Sequence, residues 1–136
     1  MFPGRKDPNF YNDGVEILGH LQLRIMLYIW QYGPATVHEV HDALNAQVGA
    51  KQLAYTTILT VLRNLTKKKF LDRKLEGRKH RCAPLIDEAS YAVETLRQIR
   101  VNLFGGDVGR MLECLAGDDG IEEVKRARIR ELAAGG

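Results

Sequence analysis

Cysteine is almost missing from this 136-residue chain, which has only Cys82 and Cys114. Two thiols exclude a disulfide framework and fall short of a zinc cage, which takes four nitrogen or sulfur ligands at short spacings. Long apolar runs are missing as well. The uncharged stretch from Ile25 to Thr36 is interrupted by Gln31, Gly33 and Pro34, so it does not span a bilayer core of about 30 Å. Residues 1–17 carry Pro3, Arg5, Lys6, Asp7, Pro8, Asn9 and Asn12 and no apolar core, which rules out a secretory signal and leaves a flexible arm. A cytoplasmic location is therefore the default. No nucleophile-base-orienter set and no phosphate loop is found, so an enzyme is the weakest reading and no cofactor is implied. Wholesale disorder is excluded too, because 45% of the residues are hydrophobic, enough for a buried core.

Acidic residues are scarce in one place. The chain carries a net +3, but residues 63–81 hold nine basic and two acidic side chains, a local +7. The segments before and after it come to −1 and −3. More than the whole positive excess sits in nineteen residues, which points to a polyanion partner.

Punctuation divides the chain. Leu18, Leu21, Ile25, Ile29 and Tyr32 recur at helical steps, widened by Met26 and Trp30, and predict a helix from about His20 to Tyr32. Gly33-Pro34 stops it. Thr36-Val-His-Glu39 has the form of a capping box and opens a second helix burying Val37, Val40, Leu44 and Val48. A third runs from about Tyr55 to Lys68. Ile58, Val61, Leu62 and Leu65 share one arc of it, while Thr56, Thr60, Arg63 and Lys67 lie opposite, flanked by Thr57 and Asn64. That polar face has hydroxyls, an amide and cations but no carboxylate, a set suited to phosphate oxygens and base edges.

Phe70–Leu75 and Arg78–Ala83 then bracket Glu76-Gly77 as a basic β-hairpin. Three helices followed by a basic hairpin form the layout of a winged helix-turn-helix DNA-binding domain. The expected fold is mainly α with a small β-hairpin wing. The domains expected are the arm (1–17), a winged-helix DNA-binding domain (18–85) and a helical dimerisation domain (86–136). In the last, Ala92, Leu96, Ile99 and Leu103 form one stripe, Phe104-Gly105-Gly106-Asp107 breaks it and offers Asp107 as an N-cap, and Val108, Met111, Leu112 and Leu115 form a second. Ile121, Val124, Ile129 and Leu132 mark a third helix. Fifty residues bury too little surface to close a core alone, so Leu96, Ile99, Leu103, Phe104, Met111, Leu112 and Leu115 are expected at an interface with a second copy.

Leu18 with Ile25-Met26 and Trp30, Tyr55-Thr-Thr-Ile-Leu-Thr-Val-Leu62, Leu65 with Lys67-Lys68, Gly77-Arg78 and Ala83-Pro84 resemble the penicillinase-repressor family, the BlaI/MecI/CopY type of bacterial transcriptional repressor. The similarity runs from about Leu18 to the C-terminus. It implies a homodimer whose winged helices read a dyad-symmetric operator. Thr57 and Thr60 match the family's recognition-helix threonines, Thr56 stands where some relatives place lysine, and Asn64 replaces a common arginine. Lys69 stands where a glycine usually closes the helix. One family branch senses copper through clustered cysteines near the C-terminus, and only Cys114 lies there. Another is inactivated when a membrane protease cuts an Asn-Phe step among the dimerisation helices, and the only such step here is Asn9-Phe10 in the arm. A regulatory membrane protease is thus a partner implied by the resemblance alone.

On this reading Arg63, Lys67, Arg78, Lys79 and Arg81 meet phosphates, while Thr56, Thr57, Thr60 and Asn64 discriminate bases. A winged-helix protein-interaction module and a ligand-responsive regulator are the alternatives. His38-Glu39-Val40-His41 lacks one residue for a zinc-protease motif, so no metal is expected. His80 and Cys82 are read as pointing to opposite faces of their strand, and both cysteines as packing residues.

Overall fold

The computed structural model describes residues 16–47, 49 and 51–135. Arg5, Lys6, the Asn9-Phe10 step and Val48 lie outside these. In order, the elements are α1 (His20–Tyr32), α2 (Val37–Asn45), α3 (Tyr55–Lys67), β1 (Leu71–Glu76), β2 (Lys79–Pro84), α4 (Glu88–Phe104), α5 (Val108–Ala116) and α6 (Glu123–Ala134). No helix among the described residues is long and apolar enough to cross a membrane. The described chain divides into two compact units, one from Ile17 to Tyr91 and one beginning at Ala92.

In the first unit, Ile25, Met26 and Ile29 of α1 meet Val40 and Leu44 of α2 and Ile58, Leu62 and Leu65 of α3, all essentially without solvent exposure. Phe70, Leu71 and Cys82 of the hairpin close this core. Burying a side chain of this size stabilises by about 1.5–3 kcal/mol, so these residues decide how each helix is rotated. Tyr32, expected on the same stripe, is 66% exposed and lies against Tyr28 instead. Tyr32 is the last residue of α1, and Gly33, at φ 93°, ends the helix directly after it.

β1 and β2 pair antiparallel from Leu71↔Pro84 to Glu76↔Lys79. Only Gly77 and Arg78 remain in the turn, with Gly77 at φ 64°, where a two-residue hairpin needs positive φ. The strands are shifted one residue from the sequence expectation. Ala35, between α1 and α2, adds a short third rung: its N–H donates to Cys82 O at 3.1 Å and its O accepts from Cys82 N at 2.8 Å.

The unit extends six residues past the boundary expected at Leu85. Trp30 Nε1 donates to Ile86 O at 2.8 Å, and Tyr91 packs against Trp30 and Phe70. Tyr91 Oη also accepts from the Leu18 N–H at 2.8 Å. The first turn of α4 is therefore part of this core, which the polar residues Asp87 and Glu88 disguise in the sequence.

In the second unit, Asp107 caps α5 by accepting from Gly109 N at 2.9 Å and Arg110 N at 3.3 Å. Arg126 of α6 donates to Ala116 O at 2.9 Å and so caps the other end of α5. Phe104 is turned inward, 9% exposed, with the Arg110 guanidinium 5.9 Å from its ring centre. It is thus a core residue of its own chain, unlike the expectation for an interface. Cys114 is exposed and not a packing residue.

Thr36 and Glu39 form the expected capping box at α2: Glu39 N donates to Thr36 Oγ1 at 3.2 Å and Thr36 N to Glu39 Oε1 at 2.8 Å. The Thr36 backbone N–H, with further help from Arg81, holds the Glu39 carboxyl below its ordinary value against the opposing effect of burial. The Ser90 backbone N–H does the same for Asp87. Depressed carboxylates stabilise above their unfolded values and lose that contribution as pH falls through the folded ones. Thermal unfolding should accordingly be flat near neutrality and fall below about pH 4.5, with Glu39→Gln removing part of the slope. Thr36→Ala should cost about 1 kcal/mol at pH 7 in denaturant titration.

Candidate nucleic-acid interface

α3 is positioned by its ends as well as its stripe. Asn45, the last residue of α2, clamps the loop that follows: its Oδ1 accepts from Leu53 N at 2.7 Å and its Nδ2 donates to Leu53 O at 3.0 Å. Tyr55 opens α3 with its ring 4.8 Å from His38 and 6.1 Å from His41. Both histidines thus pack on the incoming helix, and no metal-holding group of three His, Cys, Asp or Glu occurs among the described residues.

With Ile58, Leu62 and Leu65 buried, Thr56, Thr57, Thr60, Arg63, Asn64 and Lys67 are all exposed. The structure brings these six side chains onto one side of α3. Thr60 Oγ1 donates to Thr56 O at 2.9 Å, so its hydroxyl proton is committed and it presents a lone pair and a methyl group outward. Asn64 Oδ1 accepts from Gln22 Nε2 at 3.0 Å. Gln22 comes from the first turn of α1 and escaped the sequence reading. Its signal was the spacing Gly19-x-x-Gln22, a side chain that reaches back to a helix start.

The wing separates its cations. Arg78 and Lys79 stand exposed at the hairpin turn. Arg81 does not: its Nη1 lies 2.9 Å from Glu39 Oε1 and its Nε 3.3 Å from Glu76 Oε2, and Nη1 also donates to Pro34 O at 3.3 Å. Its charge is spent tying the wing to the start of α2. The register gives that role to Arg81 because it lies on the opposite face from Cys82. His80 and Cys82, two residues apart, share a face, which corrects the expectation that they point apart. Both line a cavity of about 30 Å³ with Val37, Leu59, Leu62, Arg63 and Arg73. Burial raises the Cys82 thiol above its ordinary value, only partly opposed by Arg73, so the protonated thiol is a packing group.

The site therefore consists of one carboxylate-free helix face and a cationic hairpin tip, and a family model for the penicillinase repressor matches residues 18–134. The chain belongs to the penicillinase repressor family. Two proteins described as transcriptional regulator BlaI, from two strains of Mycobacterium tuberculosis, are 42% identical over 69 residues, covering 50% of this chain and 48% of theirs. This chain thus aligns with about half the length of the curated relatives it matches. Among solved structures, the DNA-binding domain of the repressor BlaI is 31% identical with a TM-score of 0.47, covering 54% of this chain and 87% of that one. The monomeric form of Bacillus licheniformis BlaI in complex with the blaP half-operator is 30% identical with a TM-score of 0.48, covering 57% and 90%.

One departure within this repressor-family chain lies where α3 hands over to the wing. Lys69 has φ 69°, the only positive φ among described non-glycine residues. Around it Phe70 N donates to Leu65 O at 2.9 Å and Lys69 N to Thr66 O at 3.1 Å, the two bonds of a Schellman cap. A side chain in this conformation costs about 1–2 kcal/mol. Phe70 and Leu65, fully buried on either side of the cap, contribute more than that, so the strain is tolerated. Lys69→Gly should raise stability by up to about 1 kcal/mol, read as a higher Tm with unchanged far-ultraviolet circular dichroism.

Proposed function

We propose that this chain is a homodimeric, sequence-specific DNA-binding transcriptional repressor acting on a dyad-symmetric operator. The observation that carries the reading is the exposed face of α3, where hydroxyls, an amide and two cations stand together without a carboxylate. α3 would enter the major groove and the wing tip would lie along flanking phosphates. Family membership and the similarity to a transcriptional regulator support the same reading. Repression follows from occupying promoter DNA, a role that implies a cytoplasmic protein.

The second unit supports pairing. Val93, Leu96, Leu103, Val108, Leu115, Val124 and Leu132 are between 46% and 78% exposed, a large apolar share for so few residues. A second copy of the same unit would bury them, and two-fold symmetry would set half-sites about one helical turn, ~34 Å, or a multiple of it apart.

The test is duplex binding as a function of salt. Each phosphate contact contributes about 0.9 to the slope of log affinity against log salt, so Arg63→Ala with Lys67→Ala should lower that slope by roughly 2. Unchanged binding at low salt would show that α3 is not the DNA-facing helix. Retention no better than that of random competitor DNA would favour a protein-interaction module instead. Leu96→Asp with Leu103→Asp, both at exposed positions, should give a monomer by sedimentation equilibrium and abolish the preference for two half-sites over one.

A further inference from the structure

The polar face of α3 has a neighbour from another helix. Gln22 Oε1 accepts from the Gly19 N–H at 3.0 Å, a donor that the start of α1 leaves without a helical partner. Its Nε2 donates to Asn64 Oδ1 at 3.0 Å. Nitrogen and oxygen of a side-chain amide are hard to tell apart by shape, but a backbone N–H can only donate. Gly19 therefore requires the oxygen of Gln22, which turns the Gln22 NH2 toward Asn64 and requires the Asn64 oxygen in return. What Asn64 turns away from Gln22 is its own NH2 with two donors, while Oδ1, directed at Gln22, keeps one of its two lone pairs.

This matters for base reading. A free asparagine pairs with adenine in the major groove by accepting from the N6 amino group and donating to N7. With Oδ1 held toward Gln22 and one of its two lone pairs taken, the amino group of adenine, like that of cytosine, meets an acceptor that is turned aside and already shared. Guanine offers two acceptors, N7 and O6, and matches two donors. Thymine offers one, O4.

We propose that Gln22 is a positioning residue that determines specificity: by holding Asn64 Oδ1 toward α1 it turns the donor end of Asn64 outward, favouring guanine over adenine at one position of each half-site. The inference rests on the DNA-binding reading above. Asn64 lies at the flank of the polar face, about 80° around α3 from Thr56 at 100° per residue, and Gln22 stands beside that flank.

Selection of bound sequences from random duplexes tests it, using the full chain and its Gln22→Glu, Asn64→Ala and doubly substituted variants. A glutamate at 22 still accepts from Gly19 but cannot donate. Facing it, Asn64 must offer its NH2 inward and its oxygen outward, so the preferred base at that one position should change from guanine to cytosine or adenine, which present amino donors. The expected change in relative affinity is about tenfold, with the other positions unaltered. Asn64→Ala should flatten the same position, and Gln22→Glu should then change nothing there. The added negative charge weakens binding to every sequence alike and leaves this readout intact. Thermal unfolding reports whether each variant is folded. Gln22→Ala, which frees Oδ1 and opens the adenine pairing, provides the same comparison if the glutamate variant is not. Unchanged base preference in folded Gln22 variants overturns the proposal, as does a shift that persists without Asn64. If the unaltered chain retains no sequence above competitor, the DNA-binding reading falls and takes this inference with it.

Discussion

Ile58, Leu62 and Leu65 leave water only if α3 turns the opposite side of its cylinder outward. All three are fully buried or nearly so, and at about 1.5–3 kcal/mol each they outweigh the local preferences of the residues around them. The outward side is then Thr56, Thr60, Arg63 and Lys67 by helical geometry alone. Everything the candidate interface offers follows from that rotation. The same demand holds Lys69 in a left-handed cap, because Phe70 must return to the core directly after Leu65.

Polar bonds refine what burial arranges. Asn45 fixes the loop before α3, the Thr36–Glu39 pair fixes the start of α2, and Arg81 joins that pair to the hairpin. These bonds are part-buried or exposed, and individually each is worth little. Their effect is geometric. They convert a helix pointing roughly outward into side chains with a defined donor and acceptor pattern, which is what base recognition requires. Arg81 shows the cost of such order, since a cation recruited as a tie has its charge paired with the carboxylates of Glu39 and Glu76.

The second unit follows a different rule. Its helices are capped well at Asp107 and by Arg126, yet most of their large apolar side chains remain in contact with solvent. Periodicity in the sequence located the helices correctly, but it could not sort the stripe. Phe104 turned inward beneath Arg110, whereas Leu103 beside it stayed 67% exposed. Neighbouring apolar residues at a helix end differ by 100° in direction, so which of them meets the next helix depends on the path through Gly105 and Gly106.

Much of the architecture was legible from the amino-acid order. Helical periodicity, the capping box at Thr36, the Gly33-Pro34 stop, Gly77 in the hairpin turn and the cluster of cations at residues 63–81 are local signals, each resting on residues a few positions apart. Local signals report which side of an element a residue occupies. They do not report which distant residue stands opposite, and that was left to the tertiary structure. Leu18 and Tyr91 are 73 residues apart, Arg81 and Glu39 are 42 apart, and so are Gln22 and Asn64. The acid-free face of α3 was determined by sequence because a helix has a fixed pitch. The hydrogen-bonding polarity of Asn64 on that face was decided only when α1 folded against it, because a carboxamide has two ends and only a fixed neighbour chooses between them.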